Sequence, residues 1–262
     1  MSRLLVASEY TDPSFYVSDI LGILTEEYKK NPDFGLLLIS KNVEGTSPIV
    51  EATLPHGIPI IVHATITGHG GTVMEPRVPA TTDSMTHLRS LVDLFRRYSQ
   101  PIEHSLVLRI DPVIPEETSL ISLLNLISKA SSIGIRRCRA SVVDYYPFVR
   151  KRFDKLGIRT YGSSFQAPPS TIKYYLSFLL ELCRSHGMSL ELCAEHLTGA
   201  LHTGCAYSED WDKFGLHMDK TTRKQRVGCY CDIRKYDLLQ TQGRYECGYR
   251  CLYCYWSKYR GD

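Results

Sequence analysis

No apolar run in the sequence approaches the ~18 residues that would span a bilayer. The best candidate, Ile58 to Thr67, is interrupted by Pro59 and His63. The opening segment Met1 to Glu9 has a short apolar stretch and no cleavage pattern, so a cytoplasmic protein without a leader or membrane attachment is expected. No glycine-rich nucleotide fingerprint follows the first apolar run, which counts against a dinucleotide-binding sheet. Internal repeats, low-complexity linkers and a Ser/His/Asp constellation are also missing. Cysteine is almost absent before position 190, where only Cys138 and Cys183 occur.

What is present fits a globular chain: 262 residues, 43% of them hydrophobic and 23% charged. At ~150 residues per domain this is one large domain or two small ones, and an α/β barrel also fits. Short apolar runs predict strands at Leu4 to Ser8, Gly35 to Ser40, Ile58 to Thr67, Ser105 to Ile110, Arg136 to Val143 and Ser189 to Cys193. Pro59 can stand only at the opening of its strand. Helical stretches separate most of these runs: Phe15 to Lys30, Asp83 to Tyr98, Glu116 to Ser131, Tyr146 to Leu156 and Pro169 to His186. Near-continuous apolar strands alternating with helices predict parallel β/α units buried on both faces, hence an α/β fold with a complete or partial TIM-like β/α barrel. The periodicity fades after Thr198. The barrel is therefore expected over 1–198, with a Cys-rich segment over 199–262 packed on it.

That last segment differs in charge and chemistry. From Lys220 to Asp262 there are ten Lys and Arg against four acids, although the whole chain carries only +3. Seven of the nine cysteines lie past position 190: Cys193, Cys205, Cys229, Cys231, Cys247, Cys251 and Cys254. An odd, clustered set without an export signal points to metal rather than to a disulfide framework. Cys247, Cys251 and Cys254 have the spacing C-x3-C-x2-C, which is not the paired C-x2-C of most structural zinc sites. Three thiolates would leave one iron of a [4Fe–4S] cube open, and an open iron can chelate S-adenosylmethionine. A reduced cluster could then break the sulfonium bond and release a 5′-deoxyadenosyl radical.

The triplet, with Tyr253 before its last cysteine, resembles the signature of the radical S-adenosylmethionine superfamily. Its place at the end of the chain resembles a bacterial family that carries a radical-SAM-type cysteine cluster at its C-terminus. The resemblance extends over Ala7 to Asp12, Ser40-Lys41-Asn42, Thr65 to Gly70 leading to Glu75-Pro76, Arg109 to Pro112, and Ser141 to Tyr146. Glu9-Tyr10 departs from it, standing where a basic pair is expected. The resemblance implies a reducing partner of flavodoxin or ferredoxin type. It also supports an auxiliary [4Fe–4S] cluster on Cys193, Cys205, Cys229 and Cys231, for which a four-cysteine zinc site or unligated thiols are the alternatives.

Barrel active sites lie at the C-terminal ends of strands. Gly68, Gly70 and Gly71 follow one strand and resemble a SAM-binding segment with Glu75 nearby; the alternative is a plain turn. Lys41 ends another strand, and Arg109 and Asp111 a third. An Arg could hold the SAM carboxylate and an Asp its ribose, or the two could pair with each other. Asp144 and Tyr145 have the same standing. His63 reads as a core histidine and Cys183 as a buried thiol, while Cys138 would be a hydrogen-atom donor if it faced the lumen. In the tail, Arg244, Tyr245, Tyr249, Arg250, Tyr253, Tyr255, Trp256, Lys258, Tyr259 and Arg260 interleave rings with charge. They could stack on bases and neutralise phosphates of a nucleic-acid substrate, or pack around the clusters and offset their charge. A radical SAM enzyme acting on a modified base is thus expected; the rival is a non-catalytic, metal-stabilised nucleic-acid-binding module.

Overall fold

Strand and helix alternate from the start of the chain, because each apolar run is long enough for one strand and is followed by an amphipathic stretch that covers it. The computed structural model describes residues 1–7, 11–222, 228–239 and 247–255. Ser8 to Tyr10, Arg244, Tyr245, and Trp256 to Asp262 lie outside the described residues, and with them Glu9-Tyr10 and six of the ten residues of the basic aromatic tail.

The order is β1 (Arg3–Ala7), α1 (Val17–Lys30), β2 (Phe34–Ser40), α2 (Val43–Thr53), β3 (Ile60–Thr65), α3 (Thr81–Arg97), α4 (Ile102–Ser105), β4 (Leu106–Val113) and α5 (Leu120–Ser132). It continues with β5 (Arg137–Val142), α6 (Pro147–Lys155), α7 (Pro169–Ser185), β6 (Ser189–Leu192), β7 (Leu201–His202), α8 (Ser208–Asp212) and β8 (Lys235–Asp237). All eight strands join one parallel sheet in the order β7-β6-β5-β4-β3-β2-β1-β8. The order is that of a barrel, but the sheet is open: among the described residues β7 and β8 do not pair. A complete barrel is therefore not what the chain builds. Residues beyond 199 also do more than pack on the sheet, since they supply both its end strands. Among the described residues no helix is long and apolar enough to cross a membrane.

The two faces of the sheet differ. Outward residues such as Leu36, Leu38, Val62, Leu108 and Ala140 form one apolar core with the helices. Cys138 belongs to this layer and hydrogen-bonds Cys183 of α7, so it faces away from the lumen and cannot reach a substrate there. The inward face begins apolar, with Leu4, Val6, Leu37, Ile61 and Val107. On β5 and β6 it turns ionic. Arg137 and Arg139 both donate to Glu191, from their Nε atoms at 2.6 and 2.8 Å, and both pair with Asp210 of α8.

Short helix α8 closes the N-terminal end of this lumen. Beside Asp210, its Trp211 ring lies where a Cβ on Gly35 would fall, 2.3 Å from Cζ3, so only glycine leaves room for the plug. His63, wholly buried, accepts from Arg139 at Nε2, 3.3 Å away. Because a guanidinium cannot accept, the imidazole proton sits on Nδ1, which has no hydrogen-bond partner among the described residues. Burial and the neighbouring guanidinium of Arg139 hold His63 well below the usual histidine range, so the ring is neutral.

Candidate active site

The C-terminal edge of the sheet opens on a cavity of about 220 Å³. Its deep wall is apolar, from Val6, Leu37 and Ile39, and its rim carries Asp12, Ser40, Lys41, Thr65, Arg109, Asp111 and Asp144. Cys247, Cys251 and Cys254 line it from one side and Cys205 lines it too, so both cysteine groups face the same space.

The C-terminal triplet is held by side chains from several strand ends. Tyr253 Oη lies 2.7 Å from Lys41 Nζ and also donates to Glu75. Lys41 Nζ in turn donates to Glu75 Oε1 at 2.7 Å, while Thr67 Oγ1 donates to Glu75 Oε2 at 2.8 Å. Leu252 N donates to Met74 O, and Arg152 donates to the carbonyls of Leu252 and Cys254. Tyr249 packs on Phe15 with ring centroids 4.6 Å apart and shares a hydrogen bond with Ser14. The tyrosines between the cysteines are thus buried struts, not free faces for a base.

The electrostatics follow from burial. Desolvation works against the charge on both Lys41 and Glu75, but each overcomes it through the other: Lys41 is held above its usual value and Glu75 below. Asp12 accepts from Ser14, from Ser40 Oγ and from Lys41 N at 2.7 Å, yet burial still raises its carboxyl. Burial pushes Cys247 up to about 11 and Cys251 higher still. Against this, the backbone N–H groups of Tyr249 and Asp12 point at Cys247 and the Lys41 ammonium favours a Cys251 thiolate. Such thiols ionise when a metal takes the place of the proton. The donor set fits a thiolate-bound cluster: three sulfurs on one loop, a cavity in front of them and a buried cation beside them. Among the described residues no group of three or more His, Cys, Asp or Glu is arranged to hold a single metal ion.

Arg109 does not present a free fork to a ligand. Its Nε lies 2.9 Å from Asp111 Oδ2, its second terminal nitrogen also bonds that oxygen, and the first lies 2.9 Å from Cys205 Sγ. Of the two roles expected for Arg109 and Asp111, the mutual ion pair at the cavity rim is the one formed. Ser141 Oγ donates to the other oxygen of Asp111.

The expected glycine-rich SAM-binding segment is displaced from the cavity. Gly68, Gly70 and Gly71 do not line it. A Cβ on Gly70 would lie 2.2 Å from Pro79 O, and one on Gly68 would lie 2.3 Å from Ser122 Oγ. Positive φ at Gly68 and Gly71 makes the turn across which Thr67 meets Glu75. The glycines shape the loop, and Glu75, which does not line the cavity either, is bonded behind its wall to Thr67, Lys41 and Tyr253. Asp144 lines the cavity, whereas Tyr145 turns into the apolar cluster beneath α6.

Lys235 also lines the cavity, and sequence reading missed it. Burial brings it down to about 8, with Asp237 acting against the shift. Only the pairing of β8 with β1, Lys235 opposite Leu4, places it there, and no local pattern announces that pairing.

In sequence, residues 25–256 match the family described as "Domain of unknown function (DUF1848)". No curated protein matches the chain. Among solved structures, an HMG-CoA lyase from Brucella melitensis aligns with a TM-score of 0.40 and 10% identity over 73% of this chain and 71% of its own. A beta-mannanase from Streptomyces thermolilacinus aligns with a TM-score of 0.34 and 10% identity over 90% of this chain and 83% of its own.

Proposed function

Since the chain belongs to the DUF1848 family, whose description names no activity, its chemistry has to come from its own residues, and we propose that it is a radical S-adenosylmethionine enzyme. The observation that carries this reading is the C-x3-C-x2-C triplet lining a cavity at the C-terminal edge of a parallel sheet, where such folds keep their active sites. A [4Fe–4S] cluster held by Cys247, Cys251 and Cys254 would supply one electron, from a flavodoxin- or ferredoxin-type donor, to break the sulfonium bond and yield a radical that takes hydrogen from the substrate.

The chain's residues do the remaining work. Lys41 keeps positive charge beside Cys251 and, through Tyr253, fixes the cysteine loop to the ends of β2 and β3. Asp12 and Asp144 give the rim acceptors for an ammonium group and for ribose hydroxyls, while Asp111 is held by Arg109 and Ser141. The apolar wall of Val6, Leu37 and Ile39 excludes water from a reactive intermediate.

A base is the substrate group that suits the rim. Tyr255 stacks on Tyr146 at 5.7 Å, Phe165 meets Tyr146 edge-on at 5.0 Å, and Tyr255 and Phe165 are 45% and 50% exposed. Such faces stack on a nucleobase with little sequence preference.

Electron paramagnetic resonance tests the cofactor assignment. The reduced, anaerobically prepared protein is expected to give a cluster signal that changes when S-adenosylmethionine is added. Cys251→Ala is expected to lose that signal. A signal indifferent to S-adenosylmethionine, or one that survives Cys251→Ala, overturns the assignment.

A further inference from the structure

The end strands of the sheet are not joined by a ladder, yet the chain just beyond β7 meets the chain just before β8. Three observations mark this seam. Asp232 N donates to Ala206 O at 3.2 Å, and the Asp232 carboxylate accepts from Ser208 N and Oγ. Gly204 abuts Cys231 so closely that a Cβ there would lie 2.2 Å from Cys231 N. Four cysteines converge on the same place: Cys193 directly after β6, Cys205 after β7, and Cys229 and Cys231 on the approach to β8.

Their thiols are in contact. Cys231 N donates to Cys229 Sγ at 3.4 Å, and the thiols of Cys193 and Cys231 both lie beside Cys205. Cys193, Cys229 and Cys231 are buried, and no two of the nine cysteines form a disulfide. Arg109 stands against Cys205, supplying a cation to a group that becomes anionic once its thiols ionise.

We propose that Cys193, Cys205, Cys229 and Cys231 bind a metal centre as thiolates, and that this centre clasps the sheet where β7 and β8 leave it open. Cys193 and Cys205 leave the paired strands β6 and β7, whereas Cys229 and Cys231 lie on the approach to β8, so a centre held by all four ties the two ends of the sheet together. Because no group of three or more ligands is arranged around a single ion among the described residues, the centre proposed for these four thiolates is a multinuclear iron–sulfur one. Because the site does not exist in the unfolded chain, metal binding there contributes directly to folding. The inference does not depend on the triplet's chemistry.

Cys254→Ala protein, prepared anaerobically, provides the test, since it disables the triplet and leaves this group intact. It is expected to retain iron and sulfide; zinc in their place would overturn the iron–sulfur assignment. Hydrogen–deuterium exchange is then compared before and after the metal is stripped with a chelator. Stripping is expected to speed exchange roughly tenfold or more at Leu238 N, which bonds Val6 O, and at Thr203 N, which bonds Leu192 O. Amides of the central strands β2 and β3 are expected to stay protected. A Cys229→Ser/Cys231→Ser variant should match the stripped protein; if it fails to fold, the stripped Cys254→Ala protein decides alone. Retained metal with unchanged exchange at the seam overturns the clasp, and Cys254→Ala protein that binds no metal overturns the site. Neither result bears on whether the triplet cleaves S-adenosylmethionine.

Discussion

Glu191→Ala is expected to cost about 3–5 kcal/mol of stability, because it leaves two guanidinium groups buried with Asp210 as their only nearby carboxylate among the described residues. Arg139 and Glu191 are 1% and 2% exposed, so water cannot take the place of the missing carboxylate. Burial alone would raise the Glu191 carboxyl, but Arg139 and then Arg137 outweigh it and bring it to about 2. A carboxyl held below its unfolded value stabilises the fold above that value, 4.5, and loses its contribution as pH falls toward 2. Urea unfolding at neutral pH and at about pH 3 checks both points. The gap between the native and Glu191→Ala proteins should be wide at neutral pH and narrow in acid. An equal gap at both pH values would contradict the ion network described here.

Lys41→Met is expected to have an effect of similar size at the other end of the lumen. Glu75 is 1% exposed, and Lys41 is the cation within reach of its carboxylate. Removing one partner of a buried pair costs about 3–5 kcal/mol, whereas removing both charges costs far less. The double variant Lys41→Met/Glu75→Gln should therefore recover most of the stability lost in Lys41→Met. Since Tyr253 bonds both groups, the single variant should also loosen the cysteine loop and lower the iron it retains. A double variant whose loss is the sum of the two single losses would show that the pair is not coupled.

The β/α alternation was legible because outward-facing residues on every long strand are apolar, and one period of strand and helix repeats without a linker. Helix α2 was not, since Gly45 and Pro48 both argue against a helix. It forms because the Asn42 side chain accepts from Gly45 N at 3.0 Å and caps the first turn. Strands β7 and β8, of two and three residues, carry too little pattern to read, and they exist only because β6 and β1 offer them edges.

At the site, the cysteine triplet was legible as a spacing and Lys41, Glu75, Arg109 and Asp111 as polar residues at strand ends. Their partners were not. Spacing cannot show that Arg109 spends its donors on Asp111 and Cys205, or that Gly70 turns its back on the cavity to meet Pro79. Both depend on contacts between residues far apart in sequence.

An anaerobic assay of the iron-reconstituted, reduced protein with S-adenosylmethionine, following 5′-deoxyadenosine beside a Cys254→Ala control, tests the proposed chemistry most directly. Release of 5′-deoxyadenosine by the native protein and not by Cys254→Ala is the expected result. A native protein that binds neither iron nor S-adenosylmethionine, and releases nothing, would contradict it and leave a metal-stabilised nucleic-acid-binding module in its place.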